Sequence, residues 1–320
     1  MQIEEVTYEE YKSIISNINI IYLSADFQEL NKYKANEVLY LLFKNNRYRF
    51  AMCIGLIDNR AYMPFSAPFS NIITLDIHAS MELYDEALAN LREYLTNKKI
   101  ASLEIILPPV FYDNDGISKF VNSLYRNGFN ICSIDVNYDI NLNKLTTEKY
   151  KASLYYNAKK NLNISLKAGL TFKKAINNND ISIAYDIIAI NRSSKGYPLR
   201  MNLDQILETI KIIKNDIFIV YKENEPIASA FVFYINKNVV QVIYWGDKPG
   251  NSNFKPINFL AYQLVEFYLN LGLKYIDIGP SSKEGIPNYG LCDFKQSIGC
   301  ETSNKFSFKI TLSNSIRKLS

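Results

Sequence analysis

Residues 274–299 read KYIDIGPSSKEGIPNYGLCDFKQSIG, and the fold turns on how this stretch is understood. Tyr275-Ile276-Asp277-Ile278 has the apolar run of a short buried strand, and Gly279-Pro280 stops it. Two hydroxyls follow, Ser281 and Ser282, then the charged pair Lys283 and Glu284 and the turn formers Gly285, Pro287, Asn288 and Gly290. Asp293-Phe294-Lys295 is expected on a short helix that Gly299 ends. A polar, glycine-punctuated loop leaving the C-terminal end of an apolar strand is where mixed sheets commonly hold ligands. An ordinary surface loop fits the same spacing, since no short motif of known mechanism matches it.

Upstream, a helix opened by Pro256 carries Ile257, Leu260, Leu264, Val265 and Phe267, apolar nearly all round and hence expected to be buried. Before it come three strands, 217–221, 226–235 and 239–246, and a polar loop, 247–255. Asn202 with Gln205 has the form of a capping box for a helix bearing Leu203, Ile206, Leu207, Ile210 and Ile213. A helix over 181–190 runs into the polar loop 191–198. Residues 145–174 hold seven lysines (149, 151, 159, 160, 167, 173 and 174) against one acid, Glu148. A single helix over 149–168 would present much of that charge on one side, either as a solvated face or as a shelf for phosphates.

The first half has the same grammar. Strands at 37–43 and 48–57 flank a turn, Ser80 caps a helix with Tyr84, Ala87, Leu88, Leu91 and Leu95 on one face, and a strand over 103–107 stops at Pro108-Pro109. A short helix ending at Gly128 and a strand over 134–142 close it. NLREYLTNKKIASLEIILPP and QLVEFYLNLGLKYIDIGPSS therefore both read helix, turn, buried strand, proline. With 320 residues, two domains are expected, 1–145 and 146–320, the second holding the working site.

Composition narrows the chemistry. The chain is 48% hydrophobic and 21% charged, with a net charge of +4, which permits an anionic ligand without marking a nucleic-acid binder. His78 is the one histidine, so histidine-rich metal sites and a serine-histidine triad are disfavoured, and no metal is expected. The four cysteines, Cys53, Cys132, Cys292 and Cys300, are too far apart for metal knuckles and read as reduced, mostly buried thiols. The acidic N-terminus lacks a secretion signal and no run is long enough to span a bilayer, so a cytoplasmic protein is expected. Carboxylates, tyrosines, lysines, backbone groups or the substrate's own nucleophile must carry any reaction.

Four pieces together resemble the GNAT superfamily, and more narrowly its FemAB-like branch of tandem GNAT-type proteins: YKASLYYNAKKNLNISLKAGL, NRSSKGYP, IYWGDKPGNSNFKPINFLAYQLVEF and the 274–299 stretch. The last is similar to the branch's strand end, loop and F-K-x-x-x-G segment. The resemblance implies an α+β fold of two tandem GNAT-like domains, each a mixed, mostly antiparallel sheet with flanking helices. It implies acyl transfer to an amine or hydroxyl of a small molecule or cell-envelope precursor. The donor would be acyl-CoA, a carrier-bound thioester or, as in the peptidoglycan-bridge enzymes, aminoacyl-tRNA; no permanently bound cofactor is implied. The usual Gln/Arg-x-x-Gly-x-Gly/Ala phosphate loop is replaced by DKPGNSNFK, where Lys248, Gly250, Lys255 and Asn258 are the donor-binding candidates at a helix N-terminus. That departure also fits a catalytically idle binding module.

In the GNAT arrangement two central strands, here 239–246 and 275–278, splay around the acyl arm, and freed backbone N–H groups hold the oxyanion. Asp277 and Glu284 are candidate general bases, Asp277 equally a structural cap. Tyr244 is a candidate proton donor to the leaving group, or a core residue. The branch's lysine falls on Lys295, facing donor or phosphorylated acceptor, with Phe294 packed inward; a surface lysine paired with Asp293 or Glu301 is the plain alternative. Arg192, Lys195, Tyr197, Ser281, Ser282 and Asn288 are expected to meet the acceptor.

Overall fold

The computed structural model describes residues 1–15, 18–143 and 145–312; the end of the expected second domain, 313–320, lies outside them. The chain forms two compact units. Of the described residues, the first holds those of Met1–Val136, Lys283–Ile286 and 304–312; the second holds those of Asn137–Ser282 and Pro287–Ser303.

In the first unit the strands Gln2–Val6, Glu37–Lys44, Tyr48–Ile57, Arg60–Met63, Ser102–Ile106 and Glu301–Thr311 lie side by side in that order. The pairings are antiparallel except that of Arg60–Met63 with Ser102–Ile106, which is parallel. A parallel pair needs a crossover, and the helix Met81–Asn97 supplies it. Ser80 Oγ caps that helix, and Tyr84, Ala87, Leu88, Leu91 and Leu95 are its buried face, as the helical spacing requires.

In the second unit the order is Asn130–Asn141, Tyr275–Pro280, Val239–Asp247, Glu225–Tyr234, Asn215–Lys222 and Leu170–Lys174. Again one pair, Val239–Asp247 with Tyr275–Pro280, is parallel, and the helix Pro256–Asn270 crosses between them. The apolar helix buries Phe259, Leu260, Ala261, Leu264 and Val265. On the sheet, Ile217, Ile219, Phe231 and Tyr244 pack against Ala184, Ile187 and Ile188 of the helix Asn178–Ser194. Each unit thus has one crossover and one parallel pair within a mostly antiparallel sheet, the element order that the internal repeat requires. The capping box of Asn202 and Gln205 is present in full.

Two expectations change. The lysine-rich segment is two helices, Thr147–Ser153 and Tyr156–Lys167, because Leu154 and Tyr155 are extended and the Tyr155 N–H donates to Ser297 O at 3.0 Å instead of continuing the helix. The thiols are also more open than composition suggests: Cys53 is buried, Cys292 and Cys300 half-buried, and Cys132 exposed. Among the described residues no helix is long and apolar enough to cross a membrane.

Candidate functional site

In the second unit the two central strands part. Val239, Val240 and Gln241 pair with Tyr275, Ile276 and Asp277, and the pairing ends there. Both strands carry an irregularity just beyond. On one, Phe231 faces Tyr244 and Val232 faces Val242, so Ile243 is an extra residue. On the other, Asp277 faces Asp139 and Gly279 faces Tyr138, so Ile278 is extra. A β-bulge bends its strand and increases the local twist; two bulges on neighbouring strands open a wedge between them. Gly279, at φ 82°, supplies the left-handed step that lets the second strand turn away.

Asp277 lies at the base of this wedge with no solvent exposure. Its Oδ1 accepts from Asn137 Nδ2 and from the Gly279 N–H, both at 2.8 Å, and its Oδ2 accepts from Gln241 Nε2 at 2.7 Å. The carboxylate therefore ties three segments together, and its oxygens face those donors rather than solvent.

Lys295 is placed differently from either reading of the sequence. The residue of the helix Tyr289–Ser297 that turns inward is Lys295 itself, 2% exposed. Its Nζ donates to Ile278 O, Gly279 O and Pro280 O at 3.2, 2.8 and 3.1 Å, and it lies 5.4 Å from the centre of the Tyr138 ring. Three N–H groups thus meet three consecutive carbonyls at the end of the strand. Burial pulls its pKa down to about 8, because desolvation disfavours the cation. Phe294, expected inside, is half-buried and stands edge-on to Trp245 at 6.1 Å, which ties this helix to the parted strand. The same C-terminal end of the helix is also held by Tyr150, whose hydroxyl donates to Ile298 O at 2.9 Å.

Ser281 follows directly. It is 3% exposed, and its Oγ is buried without a hydrogen-bond partner; its carbonyl accepts from the Asn288 N–H at 2.8 Å. Asn288 caps the helix through Leu291 N, and its Nδ2 is 3.5 Å from the Tyr197 hydroxyl. Ser282 is half-buried in a short hairpin strand. Glu284 stands at the hairpin tip at φ 55°, its side chain 80% exposed and 4.0 Å from Lys283.

Tyr244 lies on the parted stretch of its strand. The Arg192 guanidinium sits 5.0 Å from its ring centre, and burial raises the phenol's pKa, with Arg192 opposing. Asn191 Nδ2 donates to Asp247 O at 2.7 Å, and Lys195 reaches Asp247 at 4.0 Å. Lys248 is half-buried and Gly250 exposed. Lys255 adopts the left-handed conformation (φ 55°, ψ 46°) at the start of the helix Pro256–Asn270. The Asn258 and Phe259 N–H groups donate to Lys255 O at 3.1 and 3.3 Å, so part of the helix N-terminus is already occupied. The sequence signal of Asn137 and Asp139 is a polar residue at every second position of the strand, and that of Gln241 is a single amide in the apolar run Val239–Tyr244.

No family model matches the chain, and no curated protein does. Solved structures do. FemX superposes with a TM-score of 0.70 at 12% identity, over 97% of this chain and 97% of that one. The C-terminal domain of a candidate lysylphosphatidylglycerol synthetase from Agrobacterium fabrum gives 0.62 at 9% identity, over 95% and 92%. The chain has the tandem GNAT fold of the FemAB-like proteins. A tandem GNAT protein from the clavulanic acid biosynthesis pathway agrees at 0.54 and 8% identity, over 87% and 84%. The strands that part are the two expected from the sequence to splay, 239–246 and 275–278.

Proposed function

We propose that this chain is an acyltransferase that moves an acyl group from a thioester donor, acyl-CoA or carrier-bound, to an amine or hydroxyl of a small molecule or cell-envelope precursor. The observation that supports it is the wedge between Val239–Asp247 and Tyr275–Pro280. Main-chain groups that no longer pair across it would hold a thioester carbonyl and the oxyanion that develops on attack. The donor's phosphates would meet Lys248, Gly250, Lys255 and Asn258. Tyr244, kept protonated by burial, would return a proton to the thiolate, and Glu284, open to solvent, would take one from the acceptor. Asp277 and Lys295 hold the exit of the second strand in place. Arg192, Lys195, Tyr197, Ser281, Ser282 and Asn288 would meet the acceptor.

A second donor, aminoacyl-tRNA, is favoured by one observation. Tyr155 and Tyr156 are 58% and 81% exposed beside the solvent-facing Lys159 and Lys160, a stacking and charged surface suited to a nucleic-acid strand. Calorimetry decides between the donors. Binding of CoA and acetyl-CoA, with thiol release on adding amine acceptors, supports the first reading. Absence of binding at millimolar CoA together with tight aminoacyl-tRNA binding selects the second, and failure of both leaves an idle binding module.

A further inference from the structure

We propose that Asp139 and Asp277 hold one proton between them in the folded protein, carried by Asp139, and that the pair positions the exit of the strand Tyr275–Pro280. This inference does not rest on the acyl-transfer reading.

The two residues are direct partners in the antiparallel register of Asn130–Asn141 and Tyr275–Pro280, and they are 4% and 0% exposed. Opposed side chains on paired strands stand about 5 Å apart at Cβ. Two carboxylates at that separation in a poorly solvated interior repel, and one of them keeps its proton.

The donors around them decide which. Asp277 accepts from Asn137, Gln241 and the Gly279 main chain, and three donors on one carboxyl favour its ionised form. Asp139 has the Ser303 hydroxyl at 3.1 Å from Oδ1, which can donate to a carboxylate or accept from an acid. Glu301 adds negative charge on the same strand as Ser303. Desolvation pushes the half-buried Cys300 thiol up, so it stays neutral. The Lys295 ammonium is attracted to Asp277 and donates to the 278–280 carbonyls. Lys305 lies two residues beyond Ser303, on the same side of its strand. Burial first, then the charge of Asp277, push Asp139 up to about 7, with the Ser303 hydrogen bond opposing.

The geometric consequence is local. A charged Asp277 holds the Gly279 N–H, and with it the bulge at Ile278 and the carbonyls that Lys295 grips. A second charge on Asp139 would press the two strands apart at that point.

The test reads protonation and folding directly. In wild-type protein labelled with 13C at the aspartate carboxyls, one resonance should titrate near pH 7; it should be missing from Asp139→Asn. The sign for stability follows from linkage. Between the ordinary value of 3.8 and about 7, the unfolded chain has released a proton that the folded chain keeps, so the wild type loses stability as pH rises through that window. Asp139→Asn, isosteric with the neutral acid, should match the wild type near the lower limit and melt higher at pH 7 and above. All aspartates titrating below about pH 5 would overturn the proposal, as would an Asp139→Asn protein destabilised equally at both ends of the window. Should that variant not fold, the wild-type titration alone decides.

Discussion

The Lys295 ammonium lies 2.8 Å from the Gly279 carbonyl oxygen and closes the end of the strand Tyr275–Pro280 with two further bonds, to Ile278 O and Pro280 O. A buried lysine with three main-chain acceptors is first a clamp, and its removal takes a charged donor from three carbonyls. Lys295→Met is therefore expected to cost on the order of 3 kcal/mol and to lower the melting temperature by several degrees. The pH dependence is equally definite. Between about 8 and 10.5 the unfolded chain holds a proton that folded Lys295 releases, so wild-type stability should rise with pH across that window relative to Lys295→Met. Thermal melts of both proteins from neutral to alkaline pH check it; equal melting points at neutral pH would show that the clamp carries no weight.

Gly246 precedes the donor-loop candidates for a packing reason. A Cβ there would meet Asn191 Cγ and Oδ1 at 2.7 Å, and that Asn191 amide holds Asp247 O. Gly246→Ala should destabilise by about 1–3 kcal/mol, the usual cost of overpacking. In an Asn191→Ala background the same change should cost clearly less, since the two sites share one contact. A double-mutant cycle by chemical denaturation measures it, and strict additivity would refute the coupling.

The elements that could be read from sequence are those with local causes. The Asn202–Gln205 capping box, the Ser80 cap and the apolar helix after Pro256 depend on neighbours three or four residues away. The strand ending at Gly279-Pro280 was legible for the same reason. What could not be read was register. Asp277 looked like a catalytic base or a cap because its partners, Asn137 and Gln241, lie 140 and 36 residues away. Asp139 was overlooked because only pairing places it opposite Asp277. The orientation of Phe294 and Lys295 was inverted for a related reason. Hydrophobicity favours burying the phenylalanine, but the lysine donates to three carbonyls at the strand end, contacts that lie 15 to 17 residues away in the chain. The lysine-rich helix broke at Leu154-Tyr155 because of an acceptor, Ser297 O, that is remote in the chain.

Lys255 gives a prediction in which two readouts move in opposite directions. It holds φ 55° and ψ 46° at the head of the helix Pro256–Asn270, a conformation that strains a residue with a Cβ by roughly 1 kcal/mol. Lys255→Gly should therefore stabilise the fold slightly. If its cation meets donor phosphates, the same variant should bind the donor more weakly, with a shallower dependence of affinity on salt. Melting curves and calorimetry on one preparation give both numbers; unchanged donor affinity at low salt would remove Lys255 from the donor site.

Ser281 is the residue whose present surroundings do not satisfy it. Its hydroxyl is buried with no hydrogen-bond partner, in a residue only 3% exposed, directly after the carbonyls that Lys295 grips. Burying an unpaired hydroxyl costs about 1–3 kcal/mol by protein mutational data, so Ser281→Ala should melt higher than the wild type, against the usual direction for a core substitution. Retaining serine there at a cost in stability makes sense if the 279–290 loop shifts when an acceptor binds and the hydroxyl then finds its partner. Turnover in Ser281→Ala should in that case fall about tenfold, the effect of losing one hydrogen bond of about 1.4 kcal/mol. Ser281→Thr keeps the hydroxyl but adds a methyl to a closed space, and it should lose stability instead. A Ser281→Ala protein that melts lower than the wild type would show that the hydroxyl is already partnered. One that melts higher and keeps full turnover would remove Ser281 from acceptor binding.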